Sequence, residues 1–192
     1  MAKIKYGISN CFYAKATIAA NGSATYATPV ALPGAVNLSL DAQGDTSEFF
    51  ADNIVYYTSV SNTGYEGDLE LAMIPDSFFK DILGYLTDTN GVLVENAGAE
   101  PVHFALTFQV QTDTGSKRVV FYNCVATRPT VAAATKEESI EPQTETISLR
   151  ITSIYLASAD KDIVRASVDD TKTTTYNSWN SSIYTVGTIT TT

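Results

Sequence analysis

Residues Gly64–Leu86 read GYEGDLELAMIPDSFFKDILGYL, and this stretch decides the fold class. It holds a strand with strict two-residue alternation, a proline stop and a short amphipathic segment. Gly67, Leu69, Leu71 and Met73 share one strand face, while Glu66, Asp68 and Glu70 share the other. Three carboxylates along one face repel one another, so that face is expected to meet water, a cation, or something the protein is built not to hold. Pro75 and Asp76 mark a helix start, and Phe78, Phe79, Ile82, Leu83 and Leu86 form an apolar stripe at helical spacing. The pattern predicts a helix over Asp76–Leu86. At three turns it is marginal alone, so it has to dock on a sheet or its edge.

The same alternation recurs on either side. Ala35–Asp41, Asn53–Ser61, Tyr65–Ile74, Pro101–Thr112, Lys117–Ala126 and Thr144–Leu156 all read as strands. Val102, Phe104, Leu106, Phe108 and Val110 oppose His103, Thr107, Gln109 and Gln111; Ile147, Leu149 and Ile151 oppose Thr146, Ser148, Arg150 and Thr152. One buried and one wet face per strand is the mark of antiparallel sheets packed as a sandwich or barrel. Asp113–Ser116 (DTGS) turns one strand into the next as a hairpin. The expected fold is mainly β: an antiparallel β-sandwich or barrel with one short flanking α-helix, a long inter-strand loop and extended N- and C-terminal arms.

Three segments lack this regularity. The first 34 residues read as an arm that packs intermittently. Asp41–Asp52 (DAQGDTSEFFAD) is an acidic excursion whose Phe49 and Phe50 have no sheet of their own to bury against; exposed loop aromatics mark a partner surface. Beyond Ala157 the chain turns Ser/Thr-rich and carries the single tryptophan, Trp179, with Tyr176, Tyr184, Val186 and Ile189. The expected organisation is a β-sandwich domain over 1–156, arm included, and an extension or docking arm over 157–192.

The 192 residues are enough for one domain with a real core. A net charge of −9 disfavours gripping phosphates, and no Lys/Arg run forms a basic groove. No apolar stretch is long enough for a membrane helix. MAKIKYGISN has lysines without an apolar stretch behind them, the pattern expected of a chain made and kept in a cytoplasm. Cys11 and Cys124 accordingly read as reduced thiols.

Catalytic chemistry finds little to use. His103 is the sole histidine and sits in a strand, where a structural role fits it. There is no Cys/His cluster, phosphate-cradling loop or nucleophile elbow. Glu66/Asp68/Glu70 and Glu137/Glu138 are same-face or adjacent carboxylates, not a pair facing each other across a cleft. Asp88–Gly91 (DTNG) lacks the distal glutamate of a calcium loop and reads as a turn. No enzyme, cofactor or metal site is expected.

Several blocks then form a set in order and spacing: KYGISNCFYAK (Lys5–Lys15), PVALPGAVNLSLDAQGDTSEFFADN (Pro29–Asn53), GYEGDLELAMIPDSFFKDILGYLTDTNGVLVEN (Gly64–Asn96), HFALTFQVQTD (His103–Asp113), KRVVFYNCVATRPT (Lys117–Thr130) and KEESIEPQTETISL (Lys136–Leu149). Over Lys5–Tyr155 the chain resembles major tail proteins of the phi13 type, the tail tube subunits of long-tailed phages of Gram-positive hosts. The resemblance implies a β-sandwich with a flanking helix, assembled as hexameric rings stacked into a hollow tube in the virion after assembly in the host cytoplasm. It implies that inner sheets join around the channel and that a long loop and the terminal arms touch the next ring. Asp41, Asp45, Glu48, Phe49, Phe50 and Asp52 then become candidate inter-ring contacts, and Tyr176, Trp179 and Tyr184 candidate arm contacts. Implied partners are further copies of the chain, tape measure, distal tail and tail terminator proteins, and genomic DNA that passes without specific binding; no membrane is involved. Glu66, Asp68 and Glu70 are candidates for the channel lining, the alternatives being outward solvent or a lining made by the Thr/Ser/Gln faces of Pro101–Thr112 and Thr144–Leu156. Two rival readings are an inner-tube protein of a contractile injection or phage-tail-like particle, and a surface β-sandwich adhesion module suggested by the Thr-rich tail.

Overall fold

The computed structural model describes residues 4–133, 135, 142–158 and 160–187; Glu137, Glu138 and Ile189 lie outside them. In chain order the elements are β1 (Lys5–Ile18), β2 (Ala24–Tyr26), β3 (Val30–Ala31), β4 (Ala35–Ala51), β5 (Ile54–Leu71), α1 (Asp76–Asp81), β6 (Leu86–Thr87) and β7 (Leu93–Val94). There follow β8 (Phe104–Thr112), β9 (Gly115–Ala126), β10 (Glu145–Thr152), β11 (Ile154–Leu156), β12 (Lys161–Ile163), β13 (Arg165–Asp169) and α2 (Thr173–Ser178). The main sheet runs β2-β1-β8-β9-β10-β5-β4, with β3 added to β1 and β13 to β9. All its pairings are antiparallel. It curls until β4 touches β1, so the expected mainly β, antiparallel architecture is present, with two short helices.

Inside the curl lies the larger core. Leu69 and Leu71 of β5, Phe104 and Leu106 of β8, and Ile147, Leu149 and Ile151 of β10 are buried there. These are the alternating apolar residues of the sequence, each fully buried side chain contributing about 1.5–3 kcal/mol. Helix α1 closes one end of the barrel: Phe78 meets Tyr13 and Phe104 edge-on, at ring-centroid distances of 5.2 and 5.6 Å. Tyr13 Oη donates to Asp81 Oδ2 at 3.0 Å and Lys15 Nζ lies 2.8 Å from Asp81 Oδ1, fixing the helix to β1.

The helix is shorter than the periodicity predicts. It ends at Asp81 with Ile82 as its cap, and Gly84 takes a φ of +71°, which turns the chain out of the helix. Ile82 and Leu83 are still buried, so the apolar stripe is satisfied by packing rather than by further helical turns. Leu86 leaves the stripe for the exposed β6–β7 ladder. Met73, expected on the buried face, is 70% exposed, because β5 stops at Leu71 and Ile74 takes the inward place.

Two further expectations need correction. The first 34 residues are no loosely packed arm: β1 lies between β2 and β8 and sends Tyr13 into the core. Nor is β8 wet on one face, since Thr107 is 1% exposed and Ala105 is buried. The chain beyond Ala157 covers that face. β13 pairs with β9 along Lys117–Phe121, next to the stretch Asn123–Ala126 that pairs with β10. Trp179 and Ile183 then pack with Ala14, Ala105, Val120 and Tyr122 in a second core. A one-and-a-half-turn α2 has no stability of its own, so this burial holds it in place.

Trp179→Ala is therefore expected to lower the unfolding free energy of the monomer by about 3–5 kcal/mol, the usual range for a buried tryptophan. Urea denaturation checks this; a stability within about 0.5 kcal/mol of wild type would place the tryptophan's role outside the monomer.

Candidate assembly surfaces

Two surfaces stand out, both built by β4 and β5. The first is the outer face of the curled sheet where β10, β5 and β4 lie side by side. Register pairs Glu66 with Arg150 and Asp41, Asp68 with Ser148 and Ser39, and Glu70 with Thr146 and Asn37. The carboxylate ladder and the Thr/Ser face of β10, alternatives in the sequence, are thus one surface. Ser148 Oγ donates to Asp68 Oδ1 at 2.7 Å and Thr144 Oγ1 to Glu70 Oε1 at 2.6 Å. These hydroxyls orient the carboxylates without neutralising them, and Glu66 and Asp68 are exposed. Arg150 is the one cation in that register against four acids, Asp41, Glu66, Asp68 and Glu70. The Gln109 end of the β8 polar face is committed elsewhere, accepting from Asn10 Nδ2 and Arg118 Nε.

The second surface is a hairpin. β10 accompanies β5 only from Leu71 to Tyr65, and beyond Tyr65 the β4–β5 pair continues alone. Thr63 is an extra residue between the Gln43–Gly64 and Gly44–Asn62 rungs, a bulge that bends the ribbon where it leaves the barrel. Gly64 there has φ +117°, and a Cβ on it would collide with the Ile151 carbonyl oxygen. At about 3.4 Å per residue the ribbon reaches about 30 Å past its last three-stranded rung. The acidic segment Asp41–Asp52, expected as an inter-strand loop, is thus mostly laddered strand, with its turn at Asp52–Asn53, both at positive φ. Asp45, Glu48, Phe49, Phe50 and Asp52 lie on the projecting part, with Phe49 and Phe50 exposed, whereas Asp41 stays on the three-stranded face opposite Glu66. The returning strand adds Ile54, Val55, Tyr56, Tyr57 and Val60 to the exposed set, which residue pattern does not indicate. The run Ile54–Tyr57 reads like an ordinary strand, and it stays bare because no described element packs on either face of the ribbon.

The three candidate arm residues are engaged within the chain. Arg118 stacks 4.0 Å from the Tyr176 ring centroid and its guanidinium donates to the Tyr176 carbonyl at 2.5 Å. Trp179 stacks on Tyr184 at 5.0 Å, and Tyr122 Oη donates to the Tyr184 carbonyl at 2.9 Å. His103 Nδ1 lies 2.6 Å from Asn123 Oδ1. Asp88 caps its turn by accepting from the backbone N–H groups of Asn90 and Val92, both at 2.8 Å. Among the described residues no group of His, Cys, Asp and Glu has a metal-site arrangement, and no helix is long and apolar enough to cross a membrane.

The acidic face and the projecting apolar hairpin thus lie next to each other on the same two strands. Residues 1–187 match the family described as phage tail tube protein. The chain belongs to that family. No curated protein matches it significantly. As a tail tube protein it is a structural subunit that self-assembles into the tube of a phage tail, and its place is the virion.

The subunit's thiols and core phenols are held neutral by burial. Desolvation lifts Cys11 from 9.0 to about 11 and Tyr13 from 10.0 to about 12, and pushes Cys124, Tyr26 and Tyr122 up as well. The unfolded chain ionises these groups first, so their contribution is complete below about pH 9 and drains away as pH rises toward 12. The urea midpoint of the monomer is expected to fall steadily above pH 9; a flat midpoint up to pH 11 would contradict this assignment.

Proposed function

We propose that this tail tube protein, of the phi13 type, forms hexameric rings that stack into a conduit for double-stranded DNA, with Glu66, Asp68 and Glu70 on the channel wall. The observation that carries the reading is the three-stranded acidic face, which continues on the same side of β4 and β5 onto the hairpin through Asp45, Ser47, Ser59 and Ser61. A conduit has to pass a polyanion without holding it. Six copies at −9 each give 6 × −9 = −54 formal charges per ring. Carboxylates repel phosphates across gaps of about 8 Å at physiological salt, the Debye length there. The Ser148 and Thr144 hydroxyls on the wall are already turned toward carboxylates, which leaves them poorly placed to bind phosphate.

Ring closure answers a second need. β4 is an edge strand of 17 residues, and an exposed edge of that length invites uncontrolled pairing. Joining such edges around a closed ring removes them. The hairpin, with its acids Asp45, Glu48 and Asp52 and its aromatics Phe49 and Phe50, then bridges to the next ring, and Asp41 stands at its base on the acidic face. Tape measure, distal tail and terminator proteins cap and fill the tube. In this reading Tyr176, Trp179 and Tyr184 serve assembly indirectly, by holding the C-terminal segment on the sheet.

Negative-stain electron microscopy of the purified chain is expected to show rings or hollow tubes, and a monomer at all concentrations would refute the reading. In a phage carrying Glu66→Gln, Asp68→Asn and Glu70→Gln together, tubes should assemble normally while DNA ejection slows. Unchanged ejection kinetics would remove these residues from the wall.

A further inference from the structure

The two ends of the β4–β5 ladder differ. At one end lies the hairpin tip; at the other, Ala35 pairs with Leu71 and the chain passes within five residues into α1. Helix α1, the β6–β7 hairpin and the chain leaving β9 therefore gather at the end opposite the tip. That end carries its own bare apolar side chains: Met73, Leu86, Val92, Val94 and Val131 are exposed. Leu86 and Val94 face each other across the β6–β7 ladder, a short strand pair on which both remain exposed.

We propose that this α1–β6–β7 end receives the hairpin tip of a second copy of the chain, so that each subunit presents a donor at one end and an acceptor at the other. The inference rests on the tube reading and deepens it by naming where the hairpin docks. Area supports a second copy as occupant. Phe49, Phe50, Ile54, Val55, Tyr56 and Tyr57 are all roughly half to three-quarters exposed, Tyr56 at 72%. With aromatics offering 150–250 Å² each, the tip presents on the order of 700 Å², near the roughly 800 Å² a partner gives to a standard interface. The tip carries Glu48 and Asp52 and no cation, because the chain has no Lys or Arg between Lys15 and Lys80. The receiving end offers it one cation, Lys80 on α1, which has no ion pair among the described residues, but also the exposed acids Asp76 and Asp88, so apolar area rather than charge carries the docking.

Donor and acceptor patches on opposite ends make a heterologous contact, and such a contact propagates instead of closing on a pair. A tip-to-tip contact would instead join two copies and stop. The difference matters mechanically: a stack built this way is polar, with hairpins exposed at one terminus and β6–β7 ends at the other.

Cysteine cross-linking tests it. Cys11 and Cys124 are buried and free, so wild type supplies a quiet background. Tyr56→Cys and Val92→Cys, both at exposed positions, are placed in one chain and treated with a short bismaleimide after assembly. A ladder of covalent multimers extending beyond dimers is expected. Each single variant alone should yield less than about a tenth of that product, and an equal mixture of the two singles should give dimers containing one of each. Tubes visible by microscopy with no cross-link between the two positions, or dimers from Tyr56→Cys alone, would overturn the acceptor while leaving the tube reading intact. Wild-type chains that never form rings or tubes would overturn both. As a second measurement, Leu86→Glu with Val92→Glu should leave rings while reducing stacked particles about tenfold; normal stacking would also overturn it.

Discussion

Strand β5 has a core beneath it for less than half its length. Over Tyr65–Leu71 it has β10 on one side and β4 on the other, and Leu69 and Leu71 enter the barrel. Over Ile54–Thr63 it has β4 alone. A two-stranded ribbon buries little and is marginal in water by itself. Everything distinctive about the molecule follows from this division. The supported part gives the acidic face its rigid backing, and the unsupported part projects apolar side chains that no described residue covers.

Rigidity on the supported part depends on both faces of the sheet. The inner core alone would leave Ala105, Val120 and Tyr122 wet on the β8–β9 side. β13 and the Trp179 segment cover them, and Arg118 and Ser116 secure Tyr176 from beneath. The covered region stops at β9, so the same outer face is dry toward β1 and charged toward β4. A protein that assembles through its sheet gains from this arrangement: one half is finished within the chain, and the other stays available.

Much of this was legible from residue pattern. The alternation in Pro101–Thr112 and Thr144–Leu156 located β8 and β10 to within three residues at their N-termini, and the inward sets Phe104/Leu106/Phe108 and Ile147/Leu149/Ile151 are buried as read. DTGS made its hairpin. The helix was found, but its length was not, because Ile82 and Leu83 fit an apolar pocket equally well from a turn. Asp41–Asp52 looked like a loop because polar residues fill it. Backbone pairing to β5 needs no apolar side chains, so composition could not reveal the ladder.

Residue order alone sets which residues alternate and where charge collects: Glu66, Asp68 and Glu70 on one face, and no cation from Ala16 to Phe79. Those are local properties of a chain with a two-residue repeat. The folded sheet adds that the Thr/Ser face of β10 joins that ladder, that Trp179 turns inward, and that the hairpin tip and the β6–β7 patch lie at opposite ends. Each of these depends on which strand lies beside which. Strand partners are separated by tens of residues and chosen by the packing of the whole sheet, a choice that no window of sequence contains.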